Sequence, residues 1–544
     1  MKSNGYIVKE TIFEENNIKE ISLSQDTITL NIGETKTIEI KSIYYVEIDK
    51  KNHKVTLNDG KINISPDSTE LGENVITSAI QIASDNVNVE ATLEGKIISI
   101  TDVGNKATNA QVSIKCGNYT KICNISVVKK PPENRKENWN LVLSTEYGLV
   151  DIIWLDNSNN VVSEPNKPIL ETNGEKMIPI KWDKKSSQVE TNENDSNWYN
   201  YNLRVWANAK TKNDSYFVWI PRFAYRIIYY SDSTYSKITA FWDGLGLWNS
   251  ETGESRGTID DGLKIVDYNN DQYIVHPAFE MNLDAGGWDS QLSGIWVAKF
   301  EVSGKNENLK VTYGVSSERN QTLGEQYISA RKATYGYKGT NDSDGNTSFM
   351  NSHMMKNSEW GAVTYLSNSK YGRNGVEVTK NSSDQYTGGG SGSAYINNGN
   401  QSSTGNVYGI YDLAGGAWER VAIFNSYDNK NYLSSSKWTQ LTGLSNDSSS
   451  TKYATKYNNS TGATQGTLRI YKVGKIGDAT KETIACEKGY AWFGNKTEIV
   501  SSEYPFLSRG GGYSDSNKDC GIFYFGRSDG KATKYDSFRT VLCP

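Results

Sequence analysis

Five cysteines and three histidines have the strongest claim to metal or nucleophilic chemistry in this chain: Cys116, Cys123, Cys486, Cys520, Cys543, His53, His276 and His353. Their spacing argues against both. The cysteines are odd in number, sparse and without a Cys-x-x-Cys pair, so neither a disulfide framework nor a zinc site is expected. Cys116 and Cys123 either face each other across a hairpin or are two free thiols. The histidines are too scattered for a metal cluster. No catalytic residue, metal or cofactor is therefore assigned. The stretch from Gly512 to Tyr535 points elsewhere, because it mixes Gly and small polar residues with Tyr, Phe and Arg. Binding surfaces favour that mixture: aromatics give contact area at low entropic cost, and Ser and Asn give adaptable hydrogen bonds. The candidate ligand-binding residues are Tyr513, Ser514, Asp515, Ser516, Asn517, Asp519, Tyr524, Arg527, Ser528, Asp529, Lys534 and Tyr535.

Composition narrows the classes. A chain of 544 residues is too long for one ordinary core and predicts two or three domains. The mean hydropathy of -0.62 and 36% hydrophobic residues, with 48 Gly and 34 Tyr, predict a turn-rich, β-dominated chain. The net charge is -5, from 58 basic and 63 acidic residues, and no long basic run occurs. Nucleic-acid binding would want a basic face and is not expected. No apolar run approaches the roughly 20 residues that span a bilayer, so membrane insertion is not expected. Residues 1–20 lack the apolar core of a secretory signal, which suits a protein kept inside until a particle is assembled and released.

The elements that would position the candidate surface follow in order. Residues 1–17 read as a polar N-terminal arm. From Ile18 short alternating runs such as Ile28-Thr29-Leu30-Asn31-Ile32, Thr37-Ile38-Glu39-Ile40 and Ile122 to Val127 predict a β-sandwich over residues 18–129. Lys129 to Asn134, with two prolines, opens a linker with short β segments over 130–165. The last domain is placed at 166–544. In it Met177 to Trp182, the aromatic run Tyr216 to Ile227, Ile274 to Phe279 and Gly294 to Glu301 read as strands. A helix is predicted from Asn357 as N-cap, with Glu359 at the positive end of its dipole and Gly372 as its stop. Asn374 to Thr404 and Asn425 to Thr464 are Gly/Ser/Asn-rich and read as insertions or loops rather than core.

Two resemblances attach to these residues. Ile32-Gly33-Glu34-Thr35, Gly95-Lys96 and Ala110-x-Val112-x-Ile114, set among short strands, resemble the bacterial immunoglobulin-like family, whose modules are spacers or weak adhesion units. Gly405-Asn406-Val407-Tyr408-Gly409-Ile410-Tyr411-Asp412-Leu413-Ala414-Gly415-Gly416-Ala417-Trp418-Glu419, then Arg509-Gly510-Gly511 and Phe538-Arg539, resemble the formylglycine-generating-enzyme type of C-type lectin fold. The implied fold class is multidomain: an all-β immunoglobulin-like sandwich followed by an α+β C-type lectin domain. That family's oxidases need a closely spaced cysteine pair to hold copper, and Cys520 and Cys543 are not such a pair. Its structural calcium draws on an Asn where this chain has Gly416, which brings no side-chain oxygen. Trp418 is expected to fill the core, and Glu419 to pair with Arg509 or Arg539. Glu164-Pro165-Asn166 matches the triplet of calcium-dependent sugar lectins, but before the core strands, and reads as chance.

The family's retroelement-diversified members carry their variable residues in the last stretch of the fold. The resemblance therefore implies a non-enzymatic ligand-binding or adhesion protein. A phage or prophage tail fibre or receptor-binding component is expected, located on the virion. Its partners would be a bacterial cell-surface molecule, protein or glycan, and other virion proteins through the N-terminal region. A homotrimer is the default for a fibre, although no heptad run supports it. The alternatives are a structural virion protein or a bacterial surface protein without a specific ligand and, ranked below them, a formylglycine-generating-type oxidase.

Overall fold

The structure is a computed structural model. It describes residues 18–31, 34–46, 52–58, 61–65, 71–72, 80–103, 108–117, 119–128, 148–182, 188–195, 197–229, 238–239, 246–249, 254–258, 263–269, 271–342, 345–426, 449–458, 470, 473–485, 490–501, 504–516 and 519–544. The expected arm at 1–17, the Pro131-Pro132 joint, Cys486 and Asn517 lie outside those residues. The fold is largely β-sheet and divides into two compact units, Met1–Pro131 and Pro132–Pro544.

The first unit is a sandwich of two sheets. One has Thr35–Val46 at its centre, pairing with Ile18–Leu23, Asn52–Asn58 and Ile97–Asp102. The other runs Thr27–Asn31, Tyr119–Val128, Thr108–Cys116, Ile80–Ser84, and its first pair is parallel. Period-two alternation sends Ile38, Ile40, Ile98, Ile100, Val112, Ile114, Ile125 and Val127 into one core. Each such side chain contributes about 1.5–3 kcal/mol by leaving water. Thr108–Cys116 and Tyr119–Val128 do form a hairpin, but its register sets Cys116 opposite Tyr119 and Cys123 opposite Val112. The two thiols are thus free core residues, and burial pushes both up to about 12.

The second unit begins earlier than residue 166. Gly148–Leu155 pairs along its length with Phe223–Tyr229, inside this unit. A seven-stranded sheet runs Gln188–Glu190, Ile178–Trp182, Asn208–Lys210, Tyr216–Pro221, Gly294–Ala298, Thr540–Leu542, His353–Met354. A second sheet runs Gly521–Ser528, Phe506–Gly510, Trp418–Val421, Asp536–Phe538. The aromatic run expected as one strand is two, in different sheets, divided at Arg222. The guanidinium of Arg222 is fully buried, pairs with Glu280 and donates to the Phe279 and Leu292 carbonyls. That polar anchor is what turns the chain.

Helix α1, Leu323–Arg331, escaped the sequence reading, although Thr322 and Glu325 form a capping box. Helix α2, Asn357–Asn368, has Lys356 as N-cap, so Asn357 is its first helical residue rather than its cap. Every residue of α2 is buried, and Glu359 sits in its first turn as expected. The stretch 374–404 is not a loose insertion. Val378, Asn381, Thr387, Tyr395, Ser402 and Ser403 are buried in the same core. Its polar side chains replace regular pairing: Thr387 donates to the Thr312 carbonyl, Ser402 to that of Asn406, and Asn381 to Asp412. Of the stretch at 425–464, residues 423–426 pair in parallel with 455–458.

Candidate functional site

The second sheet carries the predicted surface, and Trp418 is its centre. The indole is only half-buried, so it does not fill the core as expected. The strand Trp418–Val421 lies between Phe506–Gly510 and Asp536–Phe538, with Trp418 opposite Asp536 and Glu419 opposite both Arg509 and Ser537. The Trp418 amide donates to the Tyr535 carbonyl at 2.9 Å, and its indole N–H donates to Asp515 Oδ2 at 2.6 Å. The same carboxylate oxygen accepts the Gly512 amide at 2.8 Å. Tyr513 donates its amide to the Gly416 carbonyl, and Lys380 Nζ donates to the Asp515 carbonyl. A Cβ on Gly512 would stand 2.7 Å from the Trp418 indole nitrogen, so only glycine lets this turn close over the ring.

The predicted residues are divided by this geometry. Tyr513, Ser514, Asp515, Ser516 and Asp519 gather on the turn beside Trp418, with Ser514 and Ser516 exposed. Lys534 and Tyr535 are exposed on its other side. Arg527 and Asp529 are half-buried but removed from the indole. Arg527 sits in the row of Leu507 and Val421 at the far edge of the sheet, over the Tyr504 ring and 3.5 Å from Glu498. Asp529 pairs with Lys531. Tyr524 and Ser528 must leave the surface set, being 5% and 8% exposed. Both faces of Gly521–Ser528 are covered, so alternation does not expose every second side chain as it would in a half-buried strand. The Tyr524 ring packs 6.1 Å from that of Trp418 and forms part of its floor.

Two residues that sequence reasoning missed, Tyr386 and Val315, join the predicted Tyr535 on this surface. Tyr535 is 47% exposed, Tyr386 39% and Val315 36%. They are linked to one another by the backbone bridge of Ser316 to Tyr386 and by Arg319 and Gln385, which both donate to the Lys534 carbonyl. Tyr386 falls in the Gly/Ser/Asn-rich stretch 374–404, whose composition carries no signal that singles it out. A cavity of about 220 Å³ lined by Lys305, Asn306, Asn320, Gln321, Glu325, Ile328 and Ser329 lies near Thr533, and none of the predicted residues lines it.

Beneath the surface a buried charge cluster holds the loop that ends at Trp418. Arg539 forms a two-pronged ion pair with Glu419 and donates to the Ala298 and Tyr411 carbonyls at 2.7 and 2.8 Å. Of the two arginines expected for Glu419, Arg539 is the ionic partner, and Arg509 is its neighbour in strand register. Asp412 accepts from the Gly388 amide and from Asn381, and Glu301 accepts from the Ala417 amide. Burial raises the pKa of Glu301, Asp412 and Glu419, that of Glu419 to about 7, while Arg539 opposes each rise. These carboxylates do not suit the calcium implied by the resemblance. The guanidinium already supplies the cation among them, and a Cβ on Gly416 would lie 2.4 Å from Glu301 Oε1. Glu301 thus closes the place where the family's Asn would stand.

The thiols do not suit copper either. Cys520 lies with its sulfur 3.2 Å from the Gly510 carbonyl, while Cys543 lies beside His353 and Glu359. The triplet at 164–166 is structural: Asn166 donates to the Leu155 and Ser293 carbonyls, and its own carbonyl accepts from Trp219.

No family model and no curated protein matches the chain. Solved structures of the S-layer protein SbsC are similar to parts of it. Domains 4 and 5 align at 11% identity over 21% of this chain and 54% of that one, with a TM-score of 0.13. Domains 5–6 align at 9% identity over 54% of this chain and 92% of that one, with a TM-score of 0.14. Domains 4–9 align at 9% identity over 61% and 38%, with the same score. At such scores the likeness does not extend to a shared fold and favours no reading of the surface.

Proposed function

We propose that the second unit is a non-enzymatic binding domain whose ligand rests on Trp418, with Tyr513 and Asp515 on one side and Tyr535, Tyr386 and Val315 on the other. The observation that carries this reading is the half-buried Trp418, its indole N–H held by Asp515 and its backbone amide by the Tyr535 carbonyl. Large aromatic side chains kept out of a core that is otherwise closed, and fixed in place before any ligand arrives, give contact area with little ordering cost. This surface keeps Tyr513, Asp515 and Tyr535 from the sequence reading, sets aside Tyr524, Arg527, Ser528 and Asp529, and adds Trp418, Tyr386 and Val315.

The lectin-type scaffold belongs to the proposal, supported by the motif residues Asp412, Glu419 and Arg539 acting as one buried frame. So does the ligand class, a protein or glycan of a bacterial cell surface. Display on a phage or prophage particle, as a tail fibre or receptor-binding tip with the sandwich unit toward other virion proteins and a trimeric assembly, is the finer form. A structural surface protein without a specific ligand is the competing form, and the same experiment separates them. Fluorescently labelled protein is mixed with intact bacterial cells, and a Trp418→Ala, Tyr535→Ala double variant is compared with the parent. The expected result is saturable binding that falls at least tenfold in the variant while its unfolding midpoint hardly changes. Equal binding by parent and variant would reject the surface, and no binding to any cell would favour the structural form.

A further inference from the structure

We infer that His353, Glu359 and Cys543 form a binding site for a zinc ion or a similar thiophilic divalent ion, in the second unit and apart from the surface around Trp418. The three come from separate elements: His353 from the strand beside Thr540–Leu542, Glu359 from the first turn of α2, and Cys543 from the residue after that terminal strand. Their ligand atoms all lie within 4.8 Å of one another, and all three side chains are buried. Cys543 is fixed from both sides, its amide donating to the Met350 carbonyl and its carbonyl accepting from Asn351.

The hydrogen bonds of the ring decide what can sit there. His353 Nδ1 lies 2.8 Å from the Asn351 carbonyl, which can only accept, so Nδ1 carries a proton. A neutral ring then turns its Nε2 lone pair toward the Glu359 carboxylate, 3.0 and 3.2 Å away. Two acceptors at that distance require a cation between them, either a proton or a metal ion. A proton would leave the Cys543 sulfur with the Trp288 side chain as its hydrogen-bond partner and no part in joining His353 to Glu359. A metal ion uses all three donors, and sulfur, imidazole and carboxylate are the ligands zinc takes. Legs of about 2.1 and 2.3 Å at a tetrahedral angle set two ligand atoms about 3.6 Å apart, so atoms within 4.8 Å of one another close on one ion with an inward shift of about 1 Å by the farthest. The Nδ1–H to carbonyl bond is also the outer-shell arrangement that orients a metal-bound histidine.

Charge does not forbid it. Lys356 Nζ lies 3.8 Å from Glu359 Oε1 and donates to the Gly287 carbonyl. An ion held by a thiolate and a carboxylate leaves the pocket one net positive charge with Lys356, and so does an imidazolium with a neutral thiol. The Trp288 ring packs at a tilt of 41° beside that of His353, 5.1 Å between centroids, and the three residues are buried. The ion would tie the terminal strand, its neighbour and α2 together, a structural role.

The test uses the full chain, purified with zinc present and freed of loose metal. Elemental analysis should find one zinc per chain in the parent and none in Cys543→Ser or His353→Gln. Replacing zinc with cobalt should give a thiolate-to-cobalt charge-transfer band that Cys543→Ser lacks, and chelation should lower the unfolding temperature of the parent alone. Folded parent that takes up no zinc, or shows no thiolate band with cobalt, overturns the inference. So does a Cys543→Ser protein that keeps its zinc.

Discussion

Replacing Arg539 with Met should damage the second unit more than any change to its acidic partners. The Arg539 side chain is fully buried and satisfies Glu419, the Ala298 carbonyl and the Tyr411 carbonyl at once. Breaking a buried ion pair by removing one partner costs about 3–5 kcal/mol, because the other charge stays buried alone. Each carbonyl left without its donor adds on the order of 1 kcal/mol or more. A total on the order of 5 kcal/mol is comparable with the 5–15 kcal/mol that holds a typical domain folded. Glu419→Gln is the contrast. It leaves the guanidinium beside Asp412 and Glu301, both of which feel its charge, so the loss should be about 2–3 kcal/mol, that of one charged hydrogen bond. Urea unfolding followed by tryptophan fluorescence reads this unit alone, because all 14 tryptophans lie at or beyond Trp139. The slope against urea should stay unchanged if only stability has moved. A cost below about 1 kcal/mol for Arg539→Met, or a larger cost for Glu419→Gln, would show that the cluster does not work as a charge frame.

Three further outcomes are expected. Burial raises Glu377, Glu419 and Glu482 to about 7, so the folded unit holds protons that the unfolded chain releases from about pH 4.5 upward, and stability should fall as pH rises from 5 to 7.5. His276, lowered to about 3 by burial, pulls the other way below about pH 6.5 but is one group against three; a stability that climbs over this window in urea titrations refutes the balance. Gly361→Ala should destabilise despite the better helix propensity of Ala, worth about 1 kcal/mol, because its Cβ would stand 2.0 Å from the Gly477 carbonyl oxygen; a raised unfolding midpoint would contradict the packing. Cys116 and Cys123, with thiols near 12 inside the sandwich, should resist maleimide in the native chain and react once it unfolds, as mass mapping of the labelled peptides would show.

What could be read from the chain depended on whether burial left a periodic trace. Ile38, Ile40, Ile98 and Ile100 alternate with polar neighbours, and the sandwich was legible from them because one face of each strand meets water. In the second unit that trace disappears. Gly521–Ser528 is covered on both faces, so Tyr524 looked like a contact residue when it is part of a floor. The stretch 374–404 looked like a loop because its folding rests on Asn, Ser and Thr side chains that bond to backbone, which composition does not distinguish from solvent exposure. The site residues failed to appear for a related reason. Trp418 meets Asp515 across 97 positions, and Arg539 meets Glu419 across 120, so no local spacing announces either pair. His353 and Glu359 are only six apart, yet they belong to a strand and a helix, and their third partner lies at Cys543. Histidines judged by their distance from other histidines could not reveal that group. Polar side chains are brought together here by the closing of the sheets, and the apolar pattern that drives the closing carries no record of which polar groups will meet.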